Sequence, residues 1–367
     1  MDFSQSEEQI ATKELAAKIL GDQSTHEALR AMEKQAIVDG SAPVDRALWK
    51  ALADSGLVGI AVSEANGGAG LGLMEVANVL TEVGRTAARV PAWATMGLAL
   101  PAIEHFGTAD VVAKWVGPAV AGDAILTAAW HEDSSTGQIA TTIARTGDTA
   151  TITGRLICVP AGAIADAVLV VGDSDGDPVL GLVETNDATI IPLHTTNSSP
   201  DAEIVLEAAP VSVLATGSDA IDWAYERAVA TQCALALGVC EAMLGLIATY
   251  TTERKQFDTQ IARFQAVGHR AADCYIDTEG LRLTTWQAVS RLSDGLAATA
   301  EVSVAKYWAA NALHRIALAS AHLHGGVGVD RDYPLGRLFL AAKEIELQLG
   351  GATQHLMRVG ESIAANA

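Results

Sequence analysis

The sequence predicts an α+β fold in three parts: a helical domain over residues 1–122, a small β domain over 123–214 and a C-terminal four-helix bundle over 215–367. Three observations predict it. Apolar residues recur at helical spacing from the start to about residue 122. Short apolar runs separated by turn residues fill the stretch from about Ile125 to Val213. Long stretches of helical period then return from about Asp219 to the end.

In the first part, Ser4-Gln5-Ser6-Glu7 sets a hydroxyl three residues before a carboxylate and predicts a capping box. Ile10, Leu15, Ala16, Ile19 and Leu20 follow at helical spacing, and Leu48, Leu52 and Leu57 predict a second helix. Gly67-Gly68-Ala69-Gly70-Leu71-Gly72 reads as a loop. Leu73–Ala88 resumes the helical period, and Pro91–Phe106 and Asp110–Val120 predict two further helices. In the middle part, Thr149–Ile157 alternates Thr with apolar residues, and Ala167–Val171, Val179–Val183, Thr189–Leu193 and Glu203–Leu206 are short apolar runs. Turn residues such as Gly172–Asp177 separate them, so a small barrel or sandwich is expected, not βαβ units. The last part reads as helices over Ala220–Arg254, Ile261–Leu292, Ala300–Leu323, Leu335–Leu349 and Leu356–Ile363, with a glycine turn at Gly325-Gly326-Val327-Gly328.

Composition narrows the function classes. Lys plus Arg is 24 and Asp plus Glu is 44, a formal charge of −20 that repels polyanions, so nucleic acid is not an expected partner. A small phosphorylated ligand needs only a local Arg and stays open. Val90–Ile103 and Cys233–Ala248 are the longest weakly polar stretches. The first holds two prolines and the second holds Glu241, and neither reaches the roughly 20 apolar residues of a span, so no membrane span is expected. The start lacks the basic residues of a signal peptide, and the four cysteines are scattered without a CxxC pair. Both points predict a cytoplasmic chain with reduced thiols.

Three segments could carry chemistry. Glu253-Arg254-Lys255-Gln256-Phe257 closes the first long C-terminal helix. An Arg with a nearby Phe can grip a diphosphate and stack beside a ring, or the Arg can simply complement a helix C-terminus. In Phe264–Asp273, Gln265, His269 and Asp273 fall on one helical face, either as ligands or as satisfied structural groups. His322-Leu323-His324-Gly325-Gly326-Val327-Gly328 is a glycine turn after a helix. Its N–H groups can cradle phosphate or merely turn the chain; no strand precedes it, so a Rossmann reading fails.

Taken together and in this order, these pieces resemble the acyl-CoA dehydrogenase family. The matching stretches are Met1-Asp2-Phe3 with Glu7-Glu8-Gln9, Ser63–Gly72, Glu253–Phe257, Phe264–Asp273, His324–Gly328 and Leu349-Gly350-Gly351-Ala352-Thr353. The resemblance covers nearly the whole chain and implies FAD as cofactor, acyl-CoA as substrate class and an electron-transferring flavoprotein as acceptor. In this family one subunit gives the flavin its β-domain contacts and the base. A second gives Arg, Phe and the glycine turn to the pyrophosphate and adenine end. Carried over by position, the second set here is Arg254, Phe257, Gln265, His322, Gly325 and Gly326. His322 stands where the family often has Gln.

The first set is missing. The usual family base is a Glu near the loop occupied here by Gln348-Leu349-Gly350-Gly351-Ala352, where no carboxylate stands; Glu344 and Glu346 lie one to two turns earlier. Members with a relocated base place it near Ala228, and Glu226 is about 200° around a helix from there. Ile157-Cys158-Val159 replaces the Trp–x–Thr that stacks on the flavin, and Ala129-Trp130-His131-Glu132-Asp133-Ser134 replaces the hydroxyl-rich loop before it. This asymmetry is similar to that of the smaller subunit of α2β2 acyl-CoA dehydrogenases of steroid side-chain degradation, as are His324–Asp330 and Phe339–Lys343. The resemblance therefore implies a homologous larger partner that supplies the catalytic Glu, a steroid acyl-CoA substrate, and no catalytic residue of this chain's own. A homotetramer with Glu226 as relocated base, and a helical scaffold without flavin, are the alternatives. The C-terminal bundle is expected to meet the partner, because Cys233, Leu235, Leu237, Val239, Met243 and Leu244 make its first helix apolar on more than one side.

Overall fold

Ser6, not Ser4, caps the first helix, α1 (Glu7–Gln23). Its hydroxyl accepts the Gln9 N–H at 3.2 Å while the Gln9 side chain accepts the Ser6 N–H at 3.0 Å, closing a capping box. The computed structural model describes residues 5–132, 139–147 and 149–365, so the expected Ser4 cap and the Met1-Asp2-Phe3 stretch lie outside the described residues. The buried face of α1 is Thr12, Ala16 and Leu20; Ile10 and Leu15 point to solvent.

The helices that follow are α2 (His26–Asp39), α3 (Arg46–Asp54), α4 (Leu73–Thr86), α5 (Leu100–Phe106) and α6 (Ala109–Val120). Helix α2 has no counterpart in the sequence reading, and its Ile37 and Val38 are exposed. The strands are β1 (Leu126–Ala129), β2 (Thr142–Thr146), β3 (Thr149–Val159), β4 (Ala167–Ser174), β5 (Asp177–Glu184), β6 (Thr189–Pro192), β7 (Ala202–Pro210) and β8 (Ser212–Thr216). Then come α7 (Ser218–Glu253), the two-residue strands β9 (Lys255–Gln256) and β10 (Thr259–Gln260), α8 (Gln265–Ser293), α9 (Thr299–His324), α10 (Leu335–Leu347) and α11 (Ala352–Ala365). Contacts group the chain into two units, one from within residues 1–30, 73–88 and 229–367, the other from 31–72 and 89–228.

The second unit holds the sheet. Strands β6-β7-β3-β2 form one run, and β5 and β8 continue from β4, with β1 pairing β4 in parallel. The two halves are joined by a single β2–β4 pair, Thr142 with Asp173. Val168 and Val170 of one half and Ile152, Leu156 and Ile204 of the other bury into one core, so the expected small β domain forms as a single eight-stranded sheet. Ahead of α5 the chain takes a π-helical form over Trp93–Ala99. In the Ser63–Gly72 loop, a Cβ on Gly68 would lie 2.1 Å from the Val62 carbonyl oxygen, so only glycine fits. Glu104 anchors that loop by accepting from the Ser63 N–H at 2.9 Å and the Asn66 amide at 3.0 Å.

In the first unit, α4 crosses α7 with no side chain between the backbones. A Cβ on Gly84 would lie 2.0 Å from the Leu235 carbonyl oxygen, and one on Gly238 would lie 1.8 Å from that of Thr81. Beside the crossing, Arg85 pairs with Glu82 at 2.9 Å and with Glu241, and Arg282 pairs with Glu241 as well. Among the described residues α7 alone is long and apolar enough to cross a membrane, but half of its apolar window is buried within the protein. Cys233, Leu237, Val239 and Met243 are buried within the chain, whereas Leu235 and Leu244, on which the expectation of a partner surface also rests, are only half-buried.

Replacing Gly238 by Ala is expected to destabilise the chain by about 3 kcal/mol or more, because backbone atoms of α4 must move to admit one methyl group. A urea unfolding midpoint checks it.

Candidate functional site

The six residues expected at a ligand site all lie in the first unit. Helix α7 ends at Glu253, and the Arg254 N–H donates to the Tyr250 carbonyl at 2.9 Å. The Arg254 carbonyl accepts the Ile261 N–H at 2.9 Å, closing the β9–β10 hairpin. At its tip Phe257 has φ +53° and Asp258 φ +61°, the signature of a type I′ turn, which favours Asn and Gly. A Phe in the left-handed region is strained, and no core holds it there: its ring is 87% exposed and meets only the edge of Phe264, at 6.2 Å between centroids.

The second segment is the end of α9. Gly325 has φ +60° and ψ −136°, a conformation open to glycine and few other residues. A Cβ on Gly328 would lie 2.8 Å from the Ala321 carbonyl oxygen, whereas around Gly326 the space is open. His322 is exposed in the last turn. The two segments are tied together by Tyr250, one turn before Arg254, which stacks on His324, the residue before Gly325, at 4.5 Å. Gln265 opens α8 and is exposed, as are His269 and Asp273; no group able to hold a metal occurs among the described residues.

Chemically this face suits an anion. Residues 253–273 carry four cations (Arg254, Lys255, Arg263 and Arg270) and three acids (Glu253, Asp258 and Asp273), a slight local excess of positive charge in a chain of net charge −20. An exposed guanidinium beside a glycine turn with room at Gly326 fits a diphosphate, and Phe257 offers a free ring face to a planar group.

The other expected features do not assemble. Helix α10 stops at Leu347, and the turn that follows places Leu349 at φ +55° and Gly350 at φ +97°. A Cβ on Gly350 would lie 2.6 Å from Gln354 Oε1 and 3.1 Å from His355 Nε2, so no acidic side chain can be built there without rearrangement. The turn is instead locked by groups that the sequence reading missed. His355 Nε2–H donates to the Leu349 carbonyl at 2.8 Å, and buried Lys306 donates to the Ile345 carbonyl at 2.6 Å. Gln232 donates to Gln348 at 3.1 Å, and Gln348 to Glu344 at 3.3 Å. Glu346 lies 3.1 Å from His314 and is also paired with Lys343. Burial pushes Lys306 down to about 8 and His355 down to about 4. No periodicity marks Lys306, which sits on the buried face of α9 among Val302, Ala305, Ala309 and Ala310.

In the second unit, Ala228 is fully buried and its carbonyl accepts the Trp93 indole N–H at 3.3 Å. Glu226 is half-buried beside Arg227, whose guanidinium lies 3.6 Å from the Trp223 ring centre. Burial pushes Arg227 down to about 10, with Glu226 opposing the shift. Strand β3 is bulged between Leu156 and Val159, with exposed Cys158 at φ +50°. Asp133 and Ser134 of the preceding loop lie outside the described residues.

The His355 ring makes stability pH-dependent with a defined sign. Its folded pKa of about 4 lies below the ordinary histidine value of about 6.5, so from pH 6.5 down to 4 the unfolded chain takes up a proton that the folded chain refuses. Stability should fall by about 3 kcal/mol across that window and be unaffected by this group above it. Urea midpoints of wild type and His355→Asn, measured from pH 7 to 4, should converge as the pH falls.

Comparison with known proteins identifies the family. The family model "Acyl-CoA dehydrogenase, N-terminal domain" matches residues 6–123 and "Acyl-CoA dehydrogenase, C-terminal domain" matches residues 216–364. The chain is 39% identical over 332 residues to acyl-CoA dehydrogenase FadE27 of Mycobacterium tuberculosis, covering 87% of this chain and 88% of that one. It is similar to a chain of the ChsE4–ChsE5 complex from Mycobacterium tuberculosis, with TM-score 0.94, 37% identity and 99% of each chain covered. It is also similar to a chain of the Tcur3481–Tcur3483 steroid ACAD, with TM-score 0.92, 36% identity and 98% of each chain covered.

Proposed function

This chain belongs to the acyl-CoA dehydrogenase family of FAD-binding oxidoreductases acting on CH–CH bonds, and from that premise we propose that it is the smaller, base-less subunit of an α2β2 enzyme. In this reading it works in the cytoplasm on a steroid side-chain CoA thioester, beside a homologous larger subunit, and an electron-transferring flavoprotein accepts the electrons. The observation that supports the reading is the asymmetry of its residues: Arg254, Phe257 and the glycine turn suit a diphosphate, whereas no carboxylate stands in the Gln348–Ala352 loop. The likeness to chains of the ChsE4–ChsE5 complex and of a steroid ACAD supports both the partner and the substrate class.

The division of labour follows from the chemistry. A proton α to a thioester is weakly acidic, and its removal needs a positioned base, which the partner's Glu supplies. FAD, when bound, supplies the acceptor for the hydride from the β-carbon. This chain's residues bind and orient. Arg254 neutralises the pyrophosphate, the turn at Gly325 and Gly326 offers N–H groups to it, and Phe257, Gln265 and His322 hold the adenosine end. Glu226 is a poor substitute base, because the family's alternative position is Ala228, two residues away, buried and capped by Trp93.

Two outcomes test the reading. Purified alone, the chain should not turn over steroid acyl-CoA with an artificial electron acceptor, and activity should appear on adding the partner; robust turnover alone refutes it. In the complex, Arg254→Ala should weaken FAD by about ten- to a hundredfold, the worth of one charge-assisted bond of roughly 1.5–3 kcal/mol. Flavin absorbance per complex reads it, and because Arg254 is exposed, circular dichroism should be unchanged.

A further inference from the structure

We propose that His324 is a positioning residue whose ring, held among Tyr250 and Tyr333, fixes the glycine turn and Arg254 at the separation that a dinucleotide diphosphate spans. The inference rests on the flavin reading above. Three backbones converge on this ring: Tyr250 belongs to the last turns of α7, His324 ends α9, and Tyr333 lies just before α10. The His324 ring stacks on Tyr250 at 4.5 Å with 27° between planes and meets Tyr333 at 5.3 Å, and the two tyrosines meet edge to face at 6.5 Å.

The ring cannot turn freely. It is 2% exposed, and its Nδ1–H donates to the Ser320 carbonyl at 2.8 Å, which fixes its plane against its own helix. Burial lowers its pKa, against the carbonyls of Ser320 and Leu246, so near neutral pH it serves as an uncharged flat spacer. On one side the spacer contacts Tyr250, whose carbonyl receives the Arg254 N–H. At the base of the same side chain, Gly328 folds back so closely that a Cβ there would lie 3.2 Å from His324 Cβ. The ring thus stacks on the end of α7 that leads to Arg254, its own backbone opens the glycine turn at Gly325, and His322, two residues earlier, is exposed.

A buried aliphatic group would fill the volume without defining a plane, so the role is separable from mere packing. The measurement is the FAD dissociation constant of the co-purified complex, together with the thermal midpoint of its apo form. His324→Leu should weaken FAD about tenfold, since small misplacements of binding groups are costly, while His324→Phe, which keeps the flat ring, should stay within about threefold of wild type. If His324→Leu binds FAD as tightly as wild type while Arg254→Ala does not, the positioning role is overturned and the flavin reading stands. If neither substitution weakens FAD, the flavin reading itself fails. If His324→Leu and His324→Phe weaken it equally, the flat ring is not the cause and the proposal is overturned. Should His324→Leu not assemble, the pair Tyr250→Leu and Tyr250→Phe is measured in the same way, with the same expected contrast and the same refuting results.

Discussion

The crossing of α4 and α7 is the constraint on which the rest of the first unit depends. Two glycines, Gly84 and Gly238, each face a carbonyl of the opposite helix so closely that a single methyl group would collide with backbone. Interiors are packed as tightly as organic crystals, so such a contact admits little adjustment. It fixes the path of α7, whose end carries Tyr250, about three turns beyond Gly238, and leads directly into Arg254. The ion pairs of Glu241 with Arg85 and Arg282 flank the crossing. They place the one acid of the apolar stretch between two guanidinium groups, which is how a buried carboxylate is tolerated.

In the proposed reading, the two halves of the family's site are treated in opposite ways in this chain. On the diphosphate side, strain is retained: Phe257 sits in a left-handed conformation at an exposed hairpin tip, where no core contact compensates for it. Strain of about 1–3 kcal/mol at an exposed residue is most simply explained by what the residue is presented to. On the side of the base, the turn after α10 has been converted to architecture. Lys306 and His355 each bond a carbonyl of that turn from within the protein, and both hold pKa values far from those in water. Burying an amine and an imidazole lowers stability unless their hydrogen bonds are kept, so these residues commit the turn to one shape.

Much of this was legible in the sequence, and what was not has physical reasons. The three-part plan, the long C-terminal helices and the five short β runs follow from period and turn residues, which are local signals. Helix α2 escaped because its apolar residues Ile37 and Val38 face solvent, leaving no amphipathic period to read. The capping box was misplaced by two residues because Ser4 and Ser6 offer the same hydroxyl, and only the Gln9 side chain decides between them. For α7, composition could not tell the apolar residues buried by neighbours in the same chain, such as Leu237 and Met243, from the half-buried Leu235 and Leu244. The candidate ligand residues were named by family pattern. Their supports, His324, Tyr250, Lys306 and His355, were not, since stacking and carbonyl bonding are long-range facts without sequence spacing.

Electrostatics explains how an acidic chain can still present an anion site. A net charge of −20 raises the energy of any distant anion, but such interactions fade within about 8 Å at physiological ionic strength. Inside that range the local balance decides, and across residues 253–273 four cations outnumber Glu253, Asp258 and Asp273 by one. The wider negative field then acts as a filter. A long polyanion must pass many acidic groups, whereas a compact diphosphate meets only the guanidinium groups and the dipoles of the glycine turn. The charge that excludes nucleic acid is therefore compatible with a tightly held dinucleotide, provided its diphosphate stays within the short reach of Arg254 and the turn that His324 supports.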